Sequence, residues 1–240
     1  MCGICGEFKF KERPFDDLKL TGLMDSIASR GRDSKGTFKN SDVFLGHHRL
    51  SIIDTSEKSN QPMVIENYVI VFNGIIYNYK DIRKELIAKG HVFKSVGDTE
   101  VIVRSYIEYG DKCVDHFDGV FSFCIYNSMN KNIFLARDRI GIKPLYYSIN
   151  DNELIFSSSM TGILKNRNNH EINPIALHYQ FTLHSVVPAP HTIIKGINKL
   201  EPGHTLNVNK SGHAYLNKYF DINETELINY KEDEIISNID

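Results

Sequence analysis

The sequence has no excess of basic residues: 28 Lys and Arg stand against 30 Asp and Glu, a formal net charge of −2. That balance excludes the electrostatic footprint of a nucleic-acid or anionic-membrane partner. It has no apolar run near the roughly 20 residues needed to cross a bilayer. Its start lacks the basic-then-apolar layout of a signal peptide, so the cytoplasm is the expected location. Cysteine is scarce, and with nothing else pointing to export, Cys2, Cys5, Cys113 and Cys124 read as reduced thiols rather than a disulfide framework. No internal repeat, low-complexity stretch or clear linker precedes about residue 220. What is present is an ordinary globular composition, 41% hydrophobic over 240 residues, enough to bury a core without disulfides.

Hydrophobic periodicity gives a mixed pattern. Residues 2–8 read as a strand, 18–29 as a helix with Leu23, Met24 and Ile27 inward, and 44–50 and 68–72 as strands. A helix over 79–89 is stopped by Gly90, and a second, capped by Asp98, runs to Gly110. Hairpins follow at 121–137, 145–158 and 205–219, with short helices at 161–165 and 174–182 between them. The acidic stretch 221–240 reads as a linker or a severed edge. Hairpins imply antiparallel sheets. Two of them packed face to face with helices outside would bury all the apolar strands, an α+β arrangement.

The chemistry concentrates at the start. Cys2 follows Met1 directly and is small enough for that methionine to be trimmed, which leaves a free α-amine on the same residue as a thiol. Their reference pKa values lie near ~8 and ~8.5. The amine can take the thiol proton and later return it to a leaving group, nucleophilic catalysis with a built-in base. Cys2 and Cys5 also form a C-x-x-C, which leaves a redox pair or half a zinc site as alternatives, although there is no second cysteine pair. Cys113 and Cys124 sit among apolar residues and read as core. His47 and His48 are adjacent on a strand, point to opposite faces and make a poor ligand pair, so no metal site is expected. A thiolate attacking an amide needs an oxyanion hole. Asn73-Gly74 offers a side-chain amide and a backbone N–H, although on its own the dipeptide reads as a tight hairpin turn. Arg49 at a strand end suits a carboxylate, and Asp98 at a helix start suits an ammonium as well as a cap.

These features recur in a fixed order. Met1-Cys2-Gly3-Ile4, Arg30-Gly31-Arg32-Asp33, His48-Arg49-Leu50-Ser51-Ile52, Asn73-Gly74 with Tyr77-Asn78, and Gly97-Asp98-Thr99-Glu100 follow one another. Beyond them come Arg137-Asp138-Arg139-Ile140-Gly141-Ile142-Lys143-Pro144, Val187-Pro188-Ala189-Pro190 and Leu200-Glu201-Pro202-Gly203. The set resembles the class II glutamine amidotransferase (glutaminase) domain of glutamine-dependent asparagine synthetases, from Cys2 to about Phe220. The resemblance implies an N-terminal-nucleophile hydrolase fold, a four-layer αββα sandwich over residues 1–220. It implies Cys2 as nucleophile with its amine as base, and Asn73 and Gly74 as the oxyanion hole. Arg49 would bind the glutamine carboxylate and Asp98 its ammonium, with Gly97 and the backbone at Leu50 and Ile52 lining the pocket. Ammonia would pass to a synthetase domain or partner subunit. ATP and magnesium would be needed only there, and no cofactor in this domain. The resemblance also leaves room for a homodimer.

Three departures stand out. The family pattern Asn-Gly-Glu-Ile-Tyr-Asn has Ile75 in place of its Glu, so one charged hydrogen bond to the ammonium, worth about 1.5–3 kcal/mol, is missing. His-Arg-Gly-Pro-Asp appears as Ser29-Arg30-Gly31-Arg32-Asp33, and Ser159 stands where a Glu is usual. The Ser-Gly-Gly-x-Asp signature of the ATP-binding half does not occur among the 240 residues. The expectation is thus a severed or free-standing domain that hydrolyses glutamine. Its rivals are a degenerate module that only binds, and a hydrolase of some other amide, which Ile75 would suit.

Overall fold

Side-chain alternation along the strands decides what this chain buries. The computed structural model describes residues 1–167 and 170–221. One sheet contains β1 (Gly3–Lys9), β2 (Ser34–Lys39), β3 (Val43–Arg49), β8 (Tyr146–Ile149), β9 (Glu153–Ser157) and β10 (Asn198–Lys199), in the order β10-β8-β9-β1-β3-β2. The other contains β4 (Met63–Ile65), β5 (Tyr68–Ile76), β6 (Gly119–Asn127), β7 (Asn132–Arg137), β11 (His204–Val208) and β12 (Ala214–Lys218), in the order β12-β11-β7-β6-β5-β4. Every pairing between these strands is antiparallel.

The even positions Ile4 and Phe8 of β1 meet the odd positions Val43 and Leu45 of β3, Val69 and Val71 of β5, and Leu135 of β7 in one buried cluster between the sheets. The opposite faces go to helices. Cys5, Phe44 and Ile155 pack with Leu20 and Leu23 of α1 (Asp17–Asp25) and Ile163 of α4 (Met160–Lys165). Ile70, Phe72 and Phe123 pack with Leu86 of α2 (Tyr79–Ala88) and Val101 and Ile102 of α3 (Asp98–Tyr109). The layers are therefore helix, sheet, sheet, helix, the αββα sandwich expected. Covered on both sides, β1 is buried along its whole length, whereas the edge strand β12 is exposed throughout.

Local signals account for most boundaries. Asp16 caps α1 through the Leu18 and Lys19 amides, and Asn173 caps α5 (Pro174–Thr182) with Pro174 in its first turn. Gly90 takes φ +97° just past α2, the left-handed conformation that ends the helix. Three expectations need correction. The helix begun near Leu18 stops at Asp25, and Ala28–Arg30 form a separate 3-10 turn. Asn73-Gly74 is not a turn. It lies inside β5, paired with Ser122 and Phe121 of β6. Asp98 is not the cap of α3. Gly97 occupies that position, and the Asp98 carboxylate reaches across to β5. The stretch 222–240, read above as a linker or severed edge, lies outside the described residues.

Candidate active site

Parity brings the candidate residues together. Cys2 continues the inner face of Ile4. Arg49 follows Val43, Leu45 and His47 on the inner face of β3, and Asn73 follows Val69 and Val71 on that of β5. All three reach one end of the inter-sheet layer. A cleft of about 610 Å³, counted to its open mouth, is lined there by Cys2, Arg49, Asn73, Gly74 and Asp98. Leu50, Ile52, Ile75 and Gly97 line the same cleft. Every site residue nominated from the sequence is thus in one place. Cys5 is not: it faces the helical layer, its Sγ 3.7 Å from the Met24 sulfur, because positions three apart on a strand point to opposite faces. The C-x-x-C therefore closes neither a disulfide nor a metal site. Among the described residues no group of three or more His, Cys, Asp or Glu side chains is arranged to hold a metal.

The Cys2 thiol lies against the backbone of Leu50, whose N–H donates to Sγ at 3.3 Å. Arg30 Nε donates to the Cys2 carbonyl at 3.0 Å. Burial pushes the thiol pKa up. The Leu50 amide, the chain's amino terminus and Arg49 draw it back only in part. A thiol so placed needs a base to become a nucleophile. Met1 also lines the cleft, with Lys143 Nζ 3.5 Å from its sulfur.

Asn73 is buried, and neither its Nδ2 nor its Oδ1 has a hydrogen-bond partner. A buried amide without partners costs about 1–3 kcal/mol. Gly74 is required by strand approach: a Cβ there would stand 2.3 Å from the Val120 carbonyl oxygen and 2.7 Å from the Phe121 Cα of β6. Asp98 accepts the Ile76 N–H at 3.1 Å, and burial pushes its carboxyl up to about 6. Arg49 donates Nη1 to the Ser56 carbonyl at 3.0 Å and to Asn60 Oδ1 at 2.7 Å, and Nη2 to the Asp54 carbonyl. It therefore builds the wall formed by residues 54–60 besides facing the cleft.

A thiol, an uncommitted amide, a carboxyl and a separate guanidinium around one cleft are the equipment of acyl transfer from an amide. Residues 1–220 match the family model described as the glutamine amidotransferase domain. The chain belongs to that family. It is 34% identical over 245 residues to asparagine synthetase [glutamine-hydrolyzing] 3 of Bacillus subtilis, matching 100% of this chain and 39% of that protein. It is 36% identical to a putative asparagine synthetase [glutamine-hydrolyzing] 2 of Methanocaldococcus jannaschii, over 96% of this chain and 46% of that protein. The amidotransferase domain thus spans less than half the length of these relatives. Glutamine phosphoribosylpyrophosphate amidotransferase from B. subtilis has the same fold, with a TM-score of 0.64 at 17% identity over 92% of this chain and 50% of that chain. The N-terminal-nucleophile sandwich implied by the sequence motifs is the fold observed.

Some residues in and around the cleft wall left no trace in the sequence pattern. Gln61 is buried in the cleft wall, and Asp54 anchors it, bonded by Ser59 Oγ at 2.7 Å and the Ser56 N–H at 2.9 Å. Both fall in a stretch without periodicity, so only the folded path of 50–62 could reveal them. His47 and Arg30 belong to segments singled out in the sequence, but their bonds to backbone carbonyls have no sequence signature.

Proposed function

We propose that Cys2 attacks the side-chain amide of glutamine once Met1 has been removed. Its freed α-amine takes the thiol proton, directly or through water. The tetrahedral oxyanion is met by Asn73 Nδ2 and the Gly74 N–H. Collapse breaks the C–N bond, and the amine returns its proton to the departing ammonia. A water molecule, deprotonated by the same amine, then opens the thioester and releases glutamate, which restores the thiol. Arg49 holds the substrate carboxylate with donors left over from the 54–60 wall, and Asp98 receives the ammonium. Gly97 and the Leu50–Ile52 backbone shape the pocket. The observation that carries this reading is the buried Asn73 amide, unpartnered and lining the cleft of the Cys2 thiol.

The names of the relatives support passing the ammonia to an asparagine-forming synthetase domain or subunit. ATP and magnesium would serve that step, and the hydrolysis itself calls for neither. The reading places the reaction in the cytoplasm, where a catalytic thiol stays reduced. Ile75 favours a second reading, an amide substrate without a free ammonium, since it lines the cleft beside Asp98 while the other lining carboxylate, Asp54, is already taken by Ser56, Ser59 and Val96. The deciding measurement is glutamate release from glutamine by untagged protein whose intact mass shows Met1 removed. Cys2→Ala is expected to abolish it, by at least about 10⁴-fold, and Cys5→Ser to retain it. Full activity with Met1 still attached would refute the amine as base.

A further inference from the structure

β4 stops short of the active site. It pairs with β5 only between Tyr68 and Ile70, while β6 follows β5 all the way to Ile76. From Phe72 onward one edge of β5 has no neighbouring strand. In an antiparallel strand, every second residue turns both its N–H and its carbonyl toward the same edge. Phe72, Gly74 and Ile76 share that edge. Side chains take the place of the missing strand at two of the three. The Phe72 N–H donates to Gln61 Oε1 at 2.6 Å, the Phe72 carbonyl lies 3.2 Å from His47 Nε2, and the Ile76 N–H donates to Asp98 Oδ2 at 3.1 Å. Gly74 stands between these anchors and lines the cleft. Two more residues of β4 would have set a strand partner opposite Phe72, but a strand continued further would cover Gly74.

Each clamp reaches a second part of the site. Gln61 Nε2 donates to Thr99 Oγ1 at 3.2 Å, so Phe72 is tied to the same end of α3 that holds Ile76 through Asp98. His47 comes from the other sheet, where it pairs with Ile4, two residues from Cys2. The ring is fully buried, and burial pushes its pKa down to about 3. It is therefore neutral with a single N–H. Because a carbonyl only accepts, that proton sits on Nε2, and Nδ1 has no partner. The bond to Phe72 thus links β3, the neighbour of the strand that follows Cys2, to the strand carrying the oxyanion donors.

We propose that His47 and Gln61 are positioning residues: by fixing both polar groups of Phe72 they aim the Asn73 amide and the Gly74 N–H at the carbonyl that Cys2 attacks. This rests on the proposed role of Asn73 and Gly74. Misplacement of a donor by about 1 Å costs on the order of 10²-fold, so His47→Leu and Gln61→Met are each expected to lower kcat for glutamine by about 10- to 100-fold, with KM within about threefold. His47→Gln, which keeps a donor, recovers most of the loss. Combined with Asn73→Ala, His47→Leu costs less than about threefold more, since the main aimed donor is already gone. Should His47→Leu not fold, as judged by thermal melting, Gln61→Met alone and with Asn73→Ala decides the matter from the other side of the same peptide. Losses that multiply fully with Asn73→Ala, that fall in KM, or that leave kcat within about twofold overturn the proposal while hydrolysis by Cys2 stands. A wild-type chain with no glutamine hydrolysis overturns both.

Discussion

At the Lys9 end of β1, buried Asp42 meets Lys210 at 2.6 Å and Lys131 at 3.1 Å. At the Cys2 end, 7 residues of strand away, Asn73 has no partner for either amide atom, His47 has none for Nδ1, and Asp98 is pushed up to about 6. The two ends bury polar groups in the same sandwich and resolve the cost in opposite ways. At the Asp42 end burial pushes the carboxyl up, but the bonds from Lys210 and Lys131 outweigh it and hold the pKa below its ordinary value. At the Cys2 end burial wins. Buried polar groups are nearly always satisfied, so the Asp42 cluster is one that the fold needs, while the Cys2 end keeps polar groups open for the proposed substrate.

The sharpest way to break this contrast is Asn73→Ala. It is expected to lower kcat for glutamine by about 10²–10³-fold, the worth of one oxyanion donor. KM should change little and the melting temperature should not fall, because the amide removed had nothing to lose. A drop in melting temperature comparable to that of a core truncation would mean that Asn73 is structural.

Ile75→Glu tests whether the cleft is short of one acceptor. A new charged hydrogen bond to the substrate ammonium is bounded at about 1.5–3 kcal/mol. KM for glutamine should therefore fall by up to about 10- to 100-fold with kcat nearly unchanged, because the ammonium is bound equally in ground and transition states. An unchanged or higher KM in a stably folded variant would favour another amide as substrate.

Asp42→Ala probes the satisfied end. Leaving Lys210 and Lys131 without their carboxylate should destabilise the fold by about 1–3 kcal/mol in denaturant unfolding and leave kcat and KM within about twofold. Loss of activity without loss of stability would abolish the distinction between the two ends.

The smallest effect is one of pH, and it differs in sign between the ends. Asp98 has a raised pKa, so it favours folding below the ordinary carboxylate range and that contribution is lost as pH rises through about 6. Its charged form is the one that receives an ammonium, so KM for glutamine should be flat above about 6 and rise about tenfold per unit below it. Asp98→Asn should flatten that profile. Asp42, with a lowered pKa, contributes stability above the ordinary carboxylate range, and this is lost as pH falls. A wild-type KM profile indifferent to pH between 5 and 7 would remove Asp98 from the substrate.

The strands and helices that carry strong periodicity were legible: β1, β3, β6, β7, α2 and α3 lie within a few residues of their expected places. The short strands β2, β4 and β10 were not, because runs of two to six residues are too short to give a readable alternation. Asn73-Gly74 misled when taken alone, since the dipeptide is a strong turn signal. Here Gly answers to the backbone of β6, which a Cβ would approach to 2.3 Å, not to a positive φ. Asp98 misled in a milder way, a capping residue by type whose carboxylate is taken by Ile76.

By itself the sequence determined the chemistry's inventory: a cysteine next to the initiator methionine, an amide beside a glycine, an arginine and an aspartate in a recognisable order. Two-residue alternation also determined that Cys2, Arg49 and Asn73 would share the inner layer once their strands paired. Only the tertiary structure decided that β4 begins no earlier than Met63, that Gln61 and His47 take over beyond it, and that Asn73 is left without a partner. The reason is physical. Periodicity is a property of neighbours along the chain, whereas satisfaction of a buried hydrogen-bonding group depends on which distant segment arrives beside it.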